Sequence, residues 1–121
     1  MSDLEDCQRL VERYRSVLDE LKAYPGTRLI AVSKRQPNRR IAALVEAGHR
    51  DFGENYVQEW RDKKNDFQDD CRWHFIGRVQ SRKVGELMRE GIRAIHGFGS
   101  ESSLQQRQKF VSSGKVESFV Q

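Results

Sequence analysis

From residue 28 onward, short apolar runs and helical-period segments alternate with a repeat of roughly 20 to 24 residues. That rhythm constrains the fold more than any single residue does. A strand, a helix and a further strand at this spacing form the unit of a parallel sheet covered by its own crossovers. Leu29-Ile30-Ala31-Val32 is a nearly continuous apolar run, the pattern of a strand buried on both faces. Ser33-Lys34 closes it, Pro37 and Asn38 open a helix through Ile41, Leu44 and Val45, and Gly48 stands at its C-terminal end. The unit then recurs. Strands are predicted at Arg50 to Glu54, Trp73 to Gly77, Ile92 to His96 and Val116 to Val120. The intervening helices run through Val57, Trp60 and Phe67, then through Val84, Leu87 and Met88, then through Leu104, Phe110 and Val111. Ser81 and Ser100 are the expected caps of the last two helices, and Gly91 and Gly114 their stops.

A helix precedes these units, over residues 3–23. Ser2 and Glu5 stand at capping-box spacing, and Leu4, Cys7, Leu10, Val11, Tyr14, Val17, Leu18 and Leu21 follow at helical period. Pro25-Gly26 turns the chain out of it. The whole reads as an α/β chain and one domain, residues 1–121, with about five parallel strands. A closed (β/α)8 barrel takes eight strands and typically about 250 residues. The expected architecture is therefore a partial barrel of the (β/α)8 type, half of one plus a strand.

Composition narrows the function classes. Charged residues make up 33% of the chain and apolar ones 36%, a globular balance with no apolar run long enough for a membrane span. The net charge of +4 is distributed in blocks. Residues 28–50 carry six basic and one acidic group, 51–70 three basic and seven acidic, and 71–93 six basic and two acidic. Alternating blocks read as solvated helix faces, and no specific nucleic-acid partner is expected. Met1 to Asp6 is acidic without a signal-peptide pattern, so a cytoplasmic location is expected. Cys7 and Cys71 read as reduced thiols.

Among residues that could carry chemistry, Lys34 stands first. It ends the first strand, and in parallel α/β folds ligands bind at the C-terminal strand edge. An apolar run ending in lysine can desolvate the amine and leave part of it neutral and nucleophilic. A solvated strand-end lysine is the plainer reading of the same spacing. His74 sits in an apolar strand, where a hydrogen-bonded core histidine is the plain reading. Asn55 precedes a predicted helix and reads as its N-cap. Cys71 and His74 are three apart, an odd offset that sends them to opposite faces of a strand, so no metal site is expected. Gly97-x-Gly99 lacks a third glycine, Ser102 standing in its place, and reads as a tight turn. No nucleophilic triad is evident.

Three segments together carry a family resemblance. Leu29-Ile30-Ala31-Val32-Ser33-Lys34 with Pro37, Asp51-Phe52-Gly53-Glu54-Asn55-Tyr56-Val57-Gln58-Glu59, and Trp73-His74-Phe75-Ile76-Gly77 with Gln80-Ser81 and Lys83 follow in order. In this they resemble the pyridoxal phosphate homeostasis family, and the likeness runs from about residue 4 to the end of the sequence. The resemblance implies a (β/α)8 barrel similar to the N-terminal domain of alanine racemase. It implies pyridoxal 5'-phosphate as cofactor, held by a Schiff base at Lys34, with Asn55 and His74 close to the cofactor ring; for Asn55, cap and cofactor contact weigh equally. It implies a carrier or regulator of the cofactor, with no catalytic turnover and no catalytic residues. The family's phosphate-binding segments are expected in the C-terminal half, beyond this sequence. Arg78, Val79, Arg82 and the Gly97-Phe98-Gly99-Ser100 stretch depart from the pattern. The alternative reading is a degenerate half-barrel that holds no cofactor and acts, if at all, as an interaction module. An open five-stranded sheet leaves the edges of its outer strands unpaired, and uncovered edges pair with other chains. A homodimer through those edges, or aggregation, is the expected state; a single monomer peak in size-exclusion chromatography across a dilution series would overturn it.

Overall fold

The computed structural model describes residues 2–98 and 117–118. The elements run α1 (Asp3–Leu21), β1 (Ala31–Val32), α2 (Asn38–Glu46), β2 (Asp51–Glu54), α3 (Val57–Phe67), β3 (Arg72–Val79), α4 (Ser81–Arg89), β4 (Ala94–Phe98) and β5 (Glu117–Ser118), with a 3-10 turn at Gln68–Asp70. The strands form one parallel sheet in chain order, β1-β2-β3-β4-β5. The architecture is thus the expected partial barrel. The helix expected between residues 100 and 114, with its Ser100 cap and Gly114 stop, and the turn at Gly99 lie outside the described residues.

Local chemistry explains most boundaries. Ser2 caps α1 by accepting the Glu5 amide at 3.1 Å. The return bond of a capping box is altered, because the Glu5 carboxylate accepts from the Ser2 hydroxyl at 3.2 Å instead of the Ser2 amide. Pro37 is the N-cap of α2, and after Ala47 the chain turns at Gly48 with φ 103°. There the Gly48 and His49 amides bond to Val45 and Leu44 carbonyls, closing the helix as a C-terminal glycine should. Two expected caps are not formed. Ser81 is the first residue of α4, whose N-cap is Gln80, and no side chain bonds there. Tyr56, and not Asn55, is the N-cap of α3, again without a side-chain bond. The first strand is shorter than its apolar run: only Ala31 and Val32 are in the ladder, although the Ser33 amide continues it with a bond to the Gly53 carbonyl at 2.9 Å.

Strand alternation divides the sheet into two faces. Ala31, Phe52, Trp73, Phe75 and Ile95 pack into one apolar cluster with Ile41 and Leu44 of α2, Trp60 of α3, and Val84, Leu87 and Met88 of α4. Leu10, Val11 and Tyr14 of α1 lie against the same cluster. Tyr14, His49, Phe52 and Trp73 stack successively, with ring centroids 5.1, 5.1 and 5.8 Å apart, which adds aromatic edge contacts to the buried area. The helices therefore cover one face. The other carries Val32, Gly53, His74 and Ala94, one from each of four neighbouring strands in register. Val32 is 53% exposed there. Cys71 is buried at the foot of β3, and burial, with the Asp70 charge beside it, pushes its thiol up to about 12.

One close approach ties β3 to β2. A Cβ on Gly77 would stand 2.7 Å from the Asn55 carbonyl oxygen and 3.2 Å from its Cα, both backbone atoms that cannot rotate away. Gly77→Ala is expected to lower stability by about 1–3 kcal/mol. Denaturant unfolding monitored by tryptophan fluorescence would measure it, and an unchanged midpoint would show that the two strands separate at little cost.

Candidate functional site

The residues expected at a site fall on three neighbouring strands at the C-terminal side of the sheet. Register places Val32 beside Gly53 and Gly53 beside His74. Lys34 and Asn55 each lie two residues beyond that level, just past the ends of β1 and β2. Lys34 is exposed, in the turn that follows Ser33. Asn55 is half-buried, and its Oδ1 is buried with no hydrogen-bond partner. His74 lies one step deeper in the sheet and is 2% exposed.

His74 is held through both ring nitrogens. Nε2 lies 2.9 Å from Asp51 Oδ1, and Nδ1 lies 3.0 Å from His96 Nε2. Asp51, an acceptor, takes the His74 Nε2 proton, and one proton is shared between His74 Nδ1 and His96 Nε2. Burial lowers the pKa of His96, and the adjacent His74 lowers it further. The plain reading of His74, a hydrogen-bonded core histidine, is what the geometry shows.

Asp51 is the hub of this open-face array. Its carboxylate accepts from Arg28 Nη2 at 2.9 Å, from Arg72 Nε at 2.9 Å and Nη2 at 3.0 Å, and from His74. Burial alone would raise its pKa; the hydrogen bonds from Arg72 and His74 and the charges of Arg28 and Arg72 outweigh burial and hold the carboxyl well below the usual carboxylate range.

A second cluster lies on the helix side, directly behind Lys34. Lys63 of α3, 5% exposed, points its ammonium at the Ser33 carbonyl (2.6 Å), both Glu54 oxygens (3.3 and 3.1 Å) and Glu59 Oε2 (2.6 Å). The Ser33 hydroxyl donates to Glu54 Oε2, and the Arg35 amide donates to Glu59 Oε2 at 2.6 Å. Burial raises the Glu54 carboxyl against the opposing pull of Ser33 and Lys63. Sequence reasoning did not bring these residues together. The available signals were a glutamate at the end of a fully buried strand and the Glu59/Lys63 pair at i,i+4 spacing on one helix.

A cavity of about 290 Å³ opens between α1, α2 and β1, lined by Leu10, Ala31, Ser33, Ile41, Leu44 and Phe52 among others. Lys34, Asn55 and His74 do not line it. Among the described residues, no group of three His, Cys, Asp or Glu is arranged to hold a metal ion, and no helix is long and apolar enough to cross a membrane.

This geometry defines a class: a partial parallel α/β barrel that presents a lysine at the C-terminal end of its first strand. Comparison with known proteins narrows it. The chain is 52% identical over 59 residues to the pyridoxal phosphate homeostasis protein of Escherichia coli K12, covering 46% of this chain and 25% of that protein. It is 40% identical over 87 residues to the protein of the same name from Schizosaccharomyces pombe, covering 72% and 35%. Among solved structures, PipY of Synechococcus elongatus with PLP bound superposes with a TM-score of 0.74 at 34% identity, over 86% of this chain and 49% of PipY. No family model matches. The chain is thus similar, in sequence and in fold, to part of the pyridoxal phosphate homeostasis family. It spans a quarter to about half the length of these relatives.

The Asp51 array yields a pH-dependent expectation. The folded-state pKa of Asp51 lies below its unfolded value, so its contribution is complete above the ordinary aspartate pKa of about 4 and is lost as pH falls toward the folded value. Asp51→Asn is expected to cost about 1–3 kcal/mol at neutral pH, with half-exposed Arg28 and Arg72 holding the figure down. The gap between wild type and variant should narrow on acidification; a gap constant from pH 7 to pH 3 would show that the charge contributes nothing.

Proposed function

We propose that this chain carries a pyridoxal 5'-phosphate site whose covalent anchor is Lys34, and that it serves as a cofactor carrier or regulator without catalytic turnover. The observation that supports this most is the placement of an exposed primary amine two residues past the β1 ladder, at the strand edge where parallel α/β folds take their ligands. Two similarities bear on the ligand. The curated relatives are named pyridoxal phosphate homeostasis proteins, and a solved neighbour carries PLP.

The residues present suit such a group. Pyridoxal 5'-phosphate supplies an aldehyde, to which a lysine amine can add with loss of water. Ser33 is buried and bonded to Glu54 on the helix side, whereas Lys34, the next residue, is exposed in the turn and open to a ligand. Asn55 lies on the adjacent strand end with a buried, unpartnered Oδ1, a polar atom that a bound molecule with a donor would satisfy. Its role in this reading is to orient that molecule, since the capping role is left empty. His74 acts from below. Fixed by Asp51 and His96, it closes the floor of the open face and presents no free ring nitrogen.

Trapping tests the reading. The protein is mixed with pyridoxal 5'-phosphate, reduced with borohydride and peptide-mapped. A dominant adduct on Lys34, abolished in Lys34→Ala and weakened by excess inorganic phosphate, is expected. Adducts scattered over many lysines and unchanged in Lys34→Ala would favour the alternative of a half-barrel without cofactor.

A further inference from the structure

Lys63 is buried against the turn that carries Lys34, and the reading proposed above leaves it without a part. Its geometry supplies one. The two residues that flank Lys34 are both tied to the Lys63 cluster. On one side, the Ser33 carbonyl accepts from Lys63 at 2.6 Å and the Ser33 hydroxyl donates to Glu54. On the other, the Arg35 amide donates to Glu59 Oε2, the same oxygen that receives Lys63, each at 2.6 Å. Arg35 has φ 58°, a left-handed conformation that a non-glycine residue keeps only when its surroundings hold it. The ammonium has three donors, and Ser33, Glu54 and Glu59 take them up.

We propose that Lys63, with Glu54 and Glu59, is a clamp that fixes the Lys34 turn and sets the direction in which the Lys34 amine leaves β1. Lys63 is a positioning residue: it bonds the Ser33 carbonyl directly, reaches the Arg35 amide through Glu59, and acts through Lys34. A buried ion pair that only stabilises the fold would need neither the Ser33 carbonyl nor the Arg35 amide. The proposal rests on Lys34 as the anchor, and its test separates the two.

The test uses the full chain, pyridoxal 5'-phosphate as probe and two variants, Lys63→Met and Glu59→Gln. Borohydride trapping is run well below the melting temperature of each, with circular dichroism as the check on folding. The readout is the ratio of adduct on Lys34 to adduct on Lys22, a lysine 78% exposed and remote from the cluster, which a general loss of stability would not change in this direction. A fall of tenfold or more is expected in Lys63→Met. A smaller fall is expected in Glu59→Gln, which weakens the hold on the Arg35 amide but keeps the pair of Lys63 with Glu54. Wild-type ratios in folded variants would overturn the clamp and leave Lys34 as the anchor. If Lys63→Met does not fold, Glu59→Gln decides alone, an unchanged ratio overturning the clamp. If wild type shows no preference for Lys34, the functional reading fails, and the clamp with it.

Discussion

Crossovers between neighbouring parallel strands put α2, α3 and α4 on the same side of this sheet, and the rest of the structure answers to that constraint. The covered side is filled by a continuous apolar cluster from Leu10 to Ile95. Among the described residues no helix lies on the other side, where Asp51 and His74 are nonetheless buried and satisfy one another. Asp51 gathers Arg28, Arg72 and His74 for that reason, and His96 completes the chain of partners. The same division explains why successive residues in the first turn behave so differently. Ser33 belongs to the covered side and is 2% exposed, whereas Lys34, the next residue, is exposed.

The two polar clusters use charge in different ways. Around Asp51, one carboxylate is over-supplied with donors, and two of these come from half-exposed arginines that keep contact with water. Around Lys63, one ammonium meets two carboxylates and a carbonyl almost without solvent, and burial raises the Glu54 carboxyl. An ion cluster of the second kind contributes little net stability, because desolvation offsets most of the Coulombic gain. Its value lies in geometry: it joins the turn after β1, the end of β2 and the second turn of α3 at one point.

Much of this was legible in the sequence. The alternation of apolar runs and helical periods gave the strand order, since each βαβ unit brings the next strand beside the last. Gly48 and Gly91 marked helix ends because each adopts positive φ, which only glycine reaches cheaply. The caps were less legible. Ser81 and Asn55 have the chemistry of caps, but backbone direction puts Gln80 and Tyr56 in those positions. Lys34, expected at the end of the first apolar run, lies exposed in the turn after β1. His74 was placed on the right strand, while the fact that both its nitrogens are engaged depends on Asp51 and His96, 23 and 22 residues away. The Lys63 cluster was invisible for the same reason. A lysine in a charged helix looks solvated until the sheet brings Ser33 and Glu54 beneath it.

The strand order also bears on how the chain reaches this fold. Each strand of the first four pairs with the one that follows it in sequence, at offsets of 19 to 23 residues, as in Ala31 with Phe52, Val79 with Phe98 and Ala94 with Glu117. Loop-closure entropy rises only logarithmically with length, so these steps cost nearly the same, and none must wait for a distant segment. Assembly can proceed from the N-terminus one unit at a time, each new strand adding to an edge that already exists. The clamp on Lys34 draws only on β1, β2 and α3, so it can form before β3 is in place.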